Sequence, residues 1–373
     1  MDLSTLFGPE NAPGQTVEFR LFPRRGADRW LLESRHRCPW HLETWPQANM
    51  RALIIYRAAR LLGVFGLHLP SRRMKVTVSS GSLYEQLSER FNALGVFLGT
   101  PGPNRKVVIF AKEGDKTWFI KVPISARTKS LAENEAATLM AMAADADLAP
   151  LVPRCVWIDD VLAIEDVRAA GVRFAPLDEA EVLRVHDLLF ARSRTTIPLA
   201  LLKQRWTVER PNSRRHADPV TAQKIAAARQ AAHRFIDTMP RAILVDCYEA
   251  HGDFTRWNVM RASDGTARII DWELFGERPR LFDPFHYLVS QAILVNRTPA
   301  SDILAQARRM VAGSLDGPSI ALYFGTYIAT QIFYYSKIFE KQDILHTQAH
   351  WQLETWTRLL EELAGPNRIG DRR

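Results

Sequence analysis

The stretch HGDFTRWN, residues 251–258, followed by IIDWE, residues 269–273, carries the clearest chemical signal in the sequence. Transfer of a γ-phosphoryl group requires a divalent cation to neutralise the triphosphate and a carboxylate to orient the attacking hydroxyl. Mg²⁺ prefers oxygen ligands and takes few from protein, usually one or two carboxylates beside phosphate oxygens. The side chains of Asp253, Asn258 and Asp271 supply such a set of oxygens.

Both parts of this signal follow apolar residues. Residues 243–248 form a short apolar run before the first part, and Ile269 and Ile270 precede Asp271. We therefore expect the polar tips to emerge from buried strands, which would hold them as rigidly as electrostatic catalysis requires. The competing interpretation is that Asp253 and Asn258 only cap a turn and that Asp271 only caps a strand end.

The order HGDxxxxN and then IDWE resembles the aminoglycoside phosphotransferase and choline kinase group of the protein-kinase-like superfamily. This resemblance implies an ATP-dependent phosphotransferase that uses Mg²⁺, with Asp253 as catalytic base and Asn258 and Asp271 as metal ligands. It also implies that His251 supports the loop through hydrogen bonds and does not transfer protons. The resemblance covers residues 92–300 by motif and leaves residues 1–80 outside.

Four further residues lie within these motifs or shortly after them. Asp283 resembles the structural aspartate of the group, and we interpret it as a helix cap or loop anchor. We interpret His286 as an ordinary helix histidine whose hydrogen bonds are satisfied. For Trp257 and Trp272 the simpler interpretation is core packing, and stacking against a substrate is the alternative.

The segment before the motifs predicts a small antiparallel sheet with one helix packed on it. Strands are expected at residues 96–98, 106–112 and 117–122, and a helix at 131–143. The resemblance implies that Lys121, on the third strand, binds the α- and β-phosphates and pairs with a helix glutamate. Glu135 is the expected partner and Glu133 the alternative, and an exposed strand lysine is the simpler interpretation of Lys121.

Two further nucleotide contacts are expected. The loop of Gly99, Thr100, Pro101 and Gly102 departs from GxGxxG, but its place between two strands predicts that it covers the phosphates. Lys106 would add charge there or lie in solvent. The resemblance places the hinge that binds adenine at Glu165, Asp166 and Val167.

The resulting fold class is α+β, with the two lobes of a protein-kinase-like fold and an N-terminal extension. The extension is expected at residues 1–80, with strands at 16–22 and 30–33. A nucleotide-binding N-lobe follows at 81–165, and it begins with a helix at 83–94 that Ser82 and Glu85 cap. A helical C-lobe at 166–373 would carry the catalytic loop and the acceptor site.

Composition narrows the function further. The chain has 373 residues, a net charge of +8 and a pI near 9.5, which favours acidic partners. The basic residues are scattered, however, and no nucleic-acid motif accompanies them. Three separate cysteines and the lack of a secretory signal predict a cytoplasmic protein. The apolar stretches 53–69 and 320–335 are too short to span a membrane, although peripheral contact with one stays open.

The acceptor is the least specified part of the prediction. Polycationic aminoglycosides need an acidic pocket, whereas this chain is basic. We therefore expect a hydroxyl of a sugar, a glycan precursor or a small alcohol. An antibiotic phosphotransferase and a non-catalytic kinase-like scaffold are the alternatives, and the complete set of catalytic residue types argues against the scaffold.

Overall fold

The computed structural model describes residues 3–9, 12–22, 30–34, 50–65, 71–99, 106–167, 176–207, 218–240, 242–262, 264–342 and 345–364. The chain forms two compact units. The first contains Met1–Ala143 and Pro153–Val172, and the second contains Ala144–Val152 and Arg173–Arg373. Neither unit is a single continuous piece of the chain.

The first unit is built on an eight-stranded antiparallel sheet with the order β3-β1-β2-β4-β5-β6-β8-β7. Its strands are β1 (Gly14–Phe22), β2 (Trp30–Glu33), β3 (Arg72–Ser79), β4 (Ala93–Phe97), β5 (Val107–Glu113), β6 (Lys116–Val122), β7 (Cys155–Ile158) and β8 (Val161–Glu165). The sheet is larger than the sequence predicted, because residues 14–79 add three strands to it and residues 155–165 add two. The predicted extension and the predicted N-lobe therefore share one compact unit.

Among its described residues, the first unit contains the helices α1 (Ser4–Phe7), α2 (Met50–Val64), α3 (Leu83–Arg90) and α4 (Ala126–Ala143). The rings of Phe7 on α1, Phe19 on β1 and Tyr84 on α3 lie 5.1–5.5 Å apart in one cluster. All three are at most 3% exposed. The N-terminal residues therefore pack into the same core as the central strands.

The boundary between α3 and β4 differs from the prediction. The helix was expected to reach residue 94, but it ends at Arg90, and residues 93–97 form a strand. Gly95 pairs with Phe110 and Leu32 on the two neighbouring strands. Because both neighbours bury this segment, sheet pairing outweighs its helical pattern.

The second unit is mainly helical, as predicted. Its helices are α5 (Glu179–Ser193), α6 (Leu199–Thr207), α7 (Pro219–Thr238), α8 (Phe282–Gln291), α9 (Ala300–Val311), α10 (Gly317–Phe339) and α11 (Thr347–Leu363). A three-stranded sheet combines β9 (Thr195–Pro198), β10 (Leu244–Ala250) and β13 (Gly276–Pro279), and a hairpin combines β11 (Val259–Arg261) and β12 (Ala267–Ile269). The predicted α+β class is confirmed.

Helix α10 runs through the core of the second unit. It begins at Asp316, whose carboxylate accepts a hydrogen bond from Ser319 N at 2.9 Å, and Pro318 stands in its first turn. Most of its side chains from Ile320 to Phe333 are buried. Across the part of the chain that the structure describes, no helix is both long and apolar enough to cross a membrane.

Candidate active site

The loop of residues 251–258 begins where β10 leaves the three-stranded sheet. Its first two backbone N–H groups, of His251 and Gly252, donate to the two carboxylate oxygens of Asp283, at 2.7 and 3.1 Å. Asp283 is 2% exposed, and this burial raises the pKa of its carboxyl group, which the bonded N–H groups partly offset. Asp283 therefore anchors the loop, as its predicted role requires.

His251 ties the loop to the second motif. Its Nε2 lies 3.0 Å from the carbonyl oxygen of Ile270, and its Nδ1 lies 3.2 Å from Asp253 N. A carbonyl can only accept and an amide N–H can only donate, so Nε2 carries the hydrogen and Nδ1 accepts. The ring also packs 4.5 Å from that of Trp272. Both nitrogens are thus engaged in holding backbone, which fits loop support and leaves none for proton transfer.

Gly252 has a conformation that suits only glycine. Its φ is +84°, in the left-handed region, and a Cβ atom there would overlap the carbonyl oxygen of Leu274. The backbone of the loop therefore lies against the segment that follows Asp271. This close approach fixes the position of the next residue, Asp253.

Asp253 and Asn258 contact each other directly. The side-chain amide of Asn258 donates from Nδ2 to the backbone oxygen of Asp253 and to its Oδ2, both at 3.0 Å. The Asp253 side chain is 29% exposed, so its carboxylate remains accessible to a ligand. These two bonds use the nitrogen of the Asn258 side-chain amide. The oxygen of that amide, the atom that could ligate a cation, takes no part in them.

The hairpin of β11 and β12 brings Asp271 towards the same place. Ile270 N donates to the carbonyl oxygen of Asn258 at 2.9 Å, just beyond the paired residues Val259 and Ile269. Asp271 follows in the left-handed region, with φ 66° and ψ 56°. Asn258 and Asp271 thus stand at the open end of one hairpin, and their amide and carboxylate oxygens are donors of the kind that Mg²⁺ takes.

His286, which the sequence predicts to be an ordinary helix histidine, contacts the carboxylate of Asp253. Its Nε2 lies 3.1 Å from Asp253 Oδ1, and its Nδ1 lies 2.7 Å from Gln331 Nε2 and 3.2 Å from the hydroxyl of Tyr327. The ring nitrogens of His286 have hydrogen-bond partners as expected, but one of these partners is Asp253, the predicted base. The only available sequence signal was its place three residues after Asp283.

The tryptophans near the motifs differ in exposure. Trp272 is 1% exposed, and its indole Nε1 donates to the carbonyl oxygen of Ile269 at 2.9 Å. This confirms the core-packing interpretation for Trp272. Trp257 is half-buried.

In the first unit, Lys121 and Glu135 form a buried ion pair. Lys121 Nζ lies 2.5 Å from Glu135 Oε2, and the two residues are 8% and 0% exposed. Glu133 is exposed, so the alternative partner is excluded. The interpretation of Lys121 as an exposed strand lysine was wrong, because α4 covers its face of β6 with the glutamate.

The other predicted nucleotide contacts are described only in part. Gly99 has a φ of +72°, whereas Thr100, Pro101 and Gly102 lie outside the described residues. At the predicted hinge, Glu165 N and Asp166 N donate to the backbone oxygens of Arg154 and Thr117. These two N–H groups are therefore engaged, and the adenine prediction depends on Val167 and on carbonyl oxygens.

Comparison with known proteins gives a family and a fold. Residues 104–318 match the model of a family described as the phosphotransferase enzyme family. The sequence matches none of the curated proteins. The chain is similar in structure to a thermostable mutant of an aminoglycoside phosphotransferase, at 14% identity and a TM-score of 0.50, over 75% of this chain and 99% of that one.

Two other solved structures are similar at lower scores. Choline kinase from Streptococcus pneumoniae has 14% identity and a TM-score of 0.44, over 75% of this chain and 96% of that one. A glucosamine kinase, in complex with glucosamine, ADP and inorganic phosphate, has 16% identity and a TM-score of 0.42, over 75% of this chain and 84% of that one.

Proposed function

Because this chain belongs to the phosphotransferase enzyme family and has its protein-kinase-like fold, we propose that it transfers the γ-phosphoryl group of ATP to a hydroxyl of a small molecule. The single observation that best supports this proposal is the joining of Asp253, Asn258 and Asp271 through one loop and one hairpin end. A sugar, a glycan precursor or a small alcohol is the proposed acceptor, since the net charge of +8 disfavours a polycation.

In the proposed reaction Asp253 orients the acceptor hydroxyl and takes its proton. The acceptor oxygen forms a bond to the γ-phosphorus while the bond from that phosphorus to the bridging oxygen breaks, and ADP leaves. The Asn258 amide oxygen and the Asp271 carboxylate would hold Mg²⁺, which when bound neutralises charge on the triphosphate. His251 and Asp283 keep the loop in place through the hydrogen bonds already described.

Lys121 would contact the α- and β-phosphates of the nucleotide. Its ammonium group is held by Glu135 in a buried pair, which fixes its direction before a ligand binds. The chain contains every residue type that the proposed reaction needs: this pair, the base and the two proposed metal ligands. The complete set favours an enzyme over a binding scaffold.

The test is a screen of ATP consumption with sugars, amino alcohols and aminoglycosides as acceptors, in the presence of Mg²⁺. The Asp253→Ala variant should lower turnover with the accepted compound by about 10²–10⁴-fold, because it removes the base. Nucleotide should still bind to it. The matched control is Asp302→Ala, an exposed carboxylate on α9, which should keep full turnover.

Two outcomes would contradict the proposal. Equal turnover in the wild type and in Asp253→Ala would remove the assigned base. No consumption with any acceptor, in a protein that also fails to bind ATP, would favour the scaffold. Turnover confined to aminoglycosides would instead favour the antibiotic phosphotransferase.

A further inference from the structure

We infer that His286 is a positioning residue for Asp253: it donates the hydrogen on Nε2 to Asp253 Oδ1 and so holds the carboxylate in the orientation that phosphoryl transfer needs. The hydrogen bond itself stands on geometry, whereas its catalytic consequence rests on the proposed function. The experiments below separate these two parts.

The tautomer of His286 follows from its partners. Gln331 presents its amide nitrogen to Nδ1 at 2.7 Å, and an amide nitrogen can only donate. Nδ1 must therefore be the unprotonated nitrogen. In the neutral ring the hydrogen is then on Nε2, which lies 3.1 Å from Asp253 Oδ1. The bond thus runs from the histidine to the carboxylate.

The ring has little freedom to leave this arrangement. His286 is 5% exposed and Gln331 is 3% exposed, and they lie on different helices, α8 and α10. The hydroxyl of Tyr327 lies 3.2 Å from Nδ1, and the ring of Phe282 stacks at 6.1 Å. Turning the ring would leave a buried amide and a buried imidazole nitrogen unpaired, which is costly.

Both oxygens of the Asp253 carboxylate consequently have a protein donor. Oδ1 accepts from His286 and Oδ2 from Asn258, so the plane of the group is fixed by residues 33 and 5 positions away. Each oxygen keeps a further lone pair for the acceptor hydroxyl. A reacting group held in this way avoids the loss of rate that a misplacement of about 1 Å can cause, roughly 10²-fold.

The same tautomer excludes a proton relay. After transfer, the proton of the acceptor is on Asp253, but Nε2 of His286 already carries a hydrogen. The other nitrogen, Nδ1, faces Gln331 and Tyr327 and not the carboxylate. His286 can therefore orient the base but cannot take its proton, so the proton leaves Asp253 by another route.

The first experiment tests the hydrogen bond without any acceptor. The full-length protein is labelled with ¹⁵N-histidine, and its ring nitrogens are recorded by NMR at neutral pH, with His286→Gln used to assign the signal. We expect a neutral ring protonated on Nε2. A neutral ring protonated on Nδ1, or a mixture of both forms in exchange, would overturn the inference.

The second experiment tests the catalytic consequence with the acceptor found by the screen. His286→Leu removes the N–H donor, whereas His286→Gln keeps one in a side chain of similar reach. We expect the leucine variant to lose on the order of 10²-fold in kcat with an unchanged KM for ATP, and the glutamine variant to recover most of it. Thermal unfolding of both variants checks that they fold.

An unchanged kcat in His286→Leu would overturn the positioning role. Equal losses of kcat in the leucine and glutamine variants would also overturn it, because they would indicate a merely structural residue. A failure of the proposed function can be distinguished from this outcome. In that case Asp253→Ala would keep the turnover of the wild type, and the NMR result for His286 would be unaffected.

Discussion

The geometry of the loop of residues 251–258 comes from residues that lie outside this loop. Asp283 holds its backbone, His286 holds the carboxylate of Asp253, and the carbonyl oxygen of Ile270 holds the ring of His251. Each of these contacts is buried on at least one side, where an unpaired polar group would be expensive. The loop is thus fixed before any ligand arrives.

Asp271→Ala should weaken the binding of nucleotide with Mg²⁺ on the order of tenfold or more, because it removes the only carboxylate of the proposed metal pair. Calorimetric titration with ATP measures the affinity, first in the presence of Mg²⁺ and then in the presence of EDTA. With EDTA the variant and the wild type should bind alike. Asp264→Ala, an exposed carboxylate in the turn of the same hairpin, is the control. A variant that kept the full Mg²⁺ dependence would remove Asp271 from the metal site.

A second residue, His186, should make folding stability depend on pH. Burial lowers the pKa of this histidine to about 3 from its ordinary value of 6.5. The unfolded chain therefore binds a proton below pH 6.5 that the folded chain refuses, and stability falls as the pH drops from 6.5 towards 3. Between pH 7 and 5 this amounts to about 2 kcal/mol.

His186→Phe should remove that loss, since phenylalanine offers a ring for the contacts with Phe190 and Tyr248 and does not titrate. Urea unfolding at pH 7 and at pH 5 measures it for both proteins. If the two proteins lost the same stability on acidification, His186 would not be buried in its neutral form.

Each unit holds candidate residues that sequence could predict, and the second unit holds one whose contact it could not. In the second unit, Asp253, Asn258 and Asp271 stand in a pattern whose spacing has chemical meaning. In the first unit, the family resemblance implied the pairing of Lys121 with Glu135. His286 stands among Phe282, Phe285 and Tyr287, so its neighbours indicate a buried helix face and nothing more. Only Gln331, 45 positions away, reveals its tautomer.

At the scale of elements, the N-terminus of α5 is capped, and an ion pair links it to the hairpin of β11 and β12. Asp178 accepts from Glu181 N at 2.8 Å, and Glu181 accepts from Asp178 N at 3.0 Å, which is a complete capping box. Glu181 also pairs with Arg261 on β11 through both carboxylate oxygens, and this pairing lowers the pKa of Glu181. One side chain therefore links the helix end to the hairpin of the site.

Asp178→Ala should lower the free energy of unfolding by about 1 kcal/mol, because it removes an N-cap acceptor. Urea unfolding gives the value, and kcat should stay unchanged because Asp178 does not belong to the site. Glu179→Ala, in the same turn but outside the capping box, is the control and should have a smaller effect. Equal midpoints for Asp178→Ala and wild type would show that the cap contributes nothing.

Element boundaries were harder to predict than element types. The strand alternation of residues 16–22 was enough to predict β1, but its pairing with β3 joins residues about 60 positions apart and has no local signal. The helix predicted at residues 83–94 ends early and a strand follows, because Gly95 pairs with Leu32, 63 positions before it, and with Phe110, 15 positions after it. Local propensity is informative only where distant partners agree with it.

At the scale of the whole molecule, the N-terminal residues contribute to the core of the first unit. Phe19→Ala should therefore cost about 3–5 kcal/mol of stability, as for other buried aromatic residues. Ile54→Ala, at a 60% exposed position of the same N-terminal segment, should cost little. Thermal unfolding followed by fluorescence measures both. If residues 1–80 were an independent appendage, Phe19→Ala would leave the main transition unchanged.

The interleaving of the two units has a consequence for biosynthesis. The chain leaves the first unit at residue 143 and returns to it at 153, and the last strand of the sheet, β8, ends at Glu165. A ribosome must therefore have released the residues up to 165 before that sheet can close. Until then strand β6 lacks its partner β8. A gene cut at any single codon between 143 and 173 would therefore yield two fragments of which at least one lacks part of its own unit, and that fragment would have to bind the other before it could finish folding.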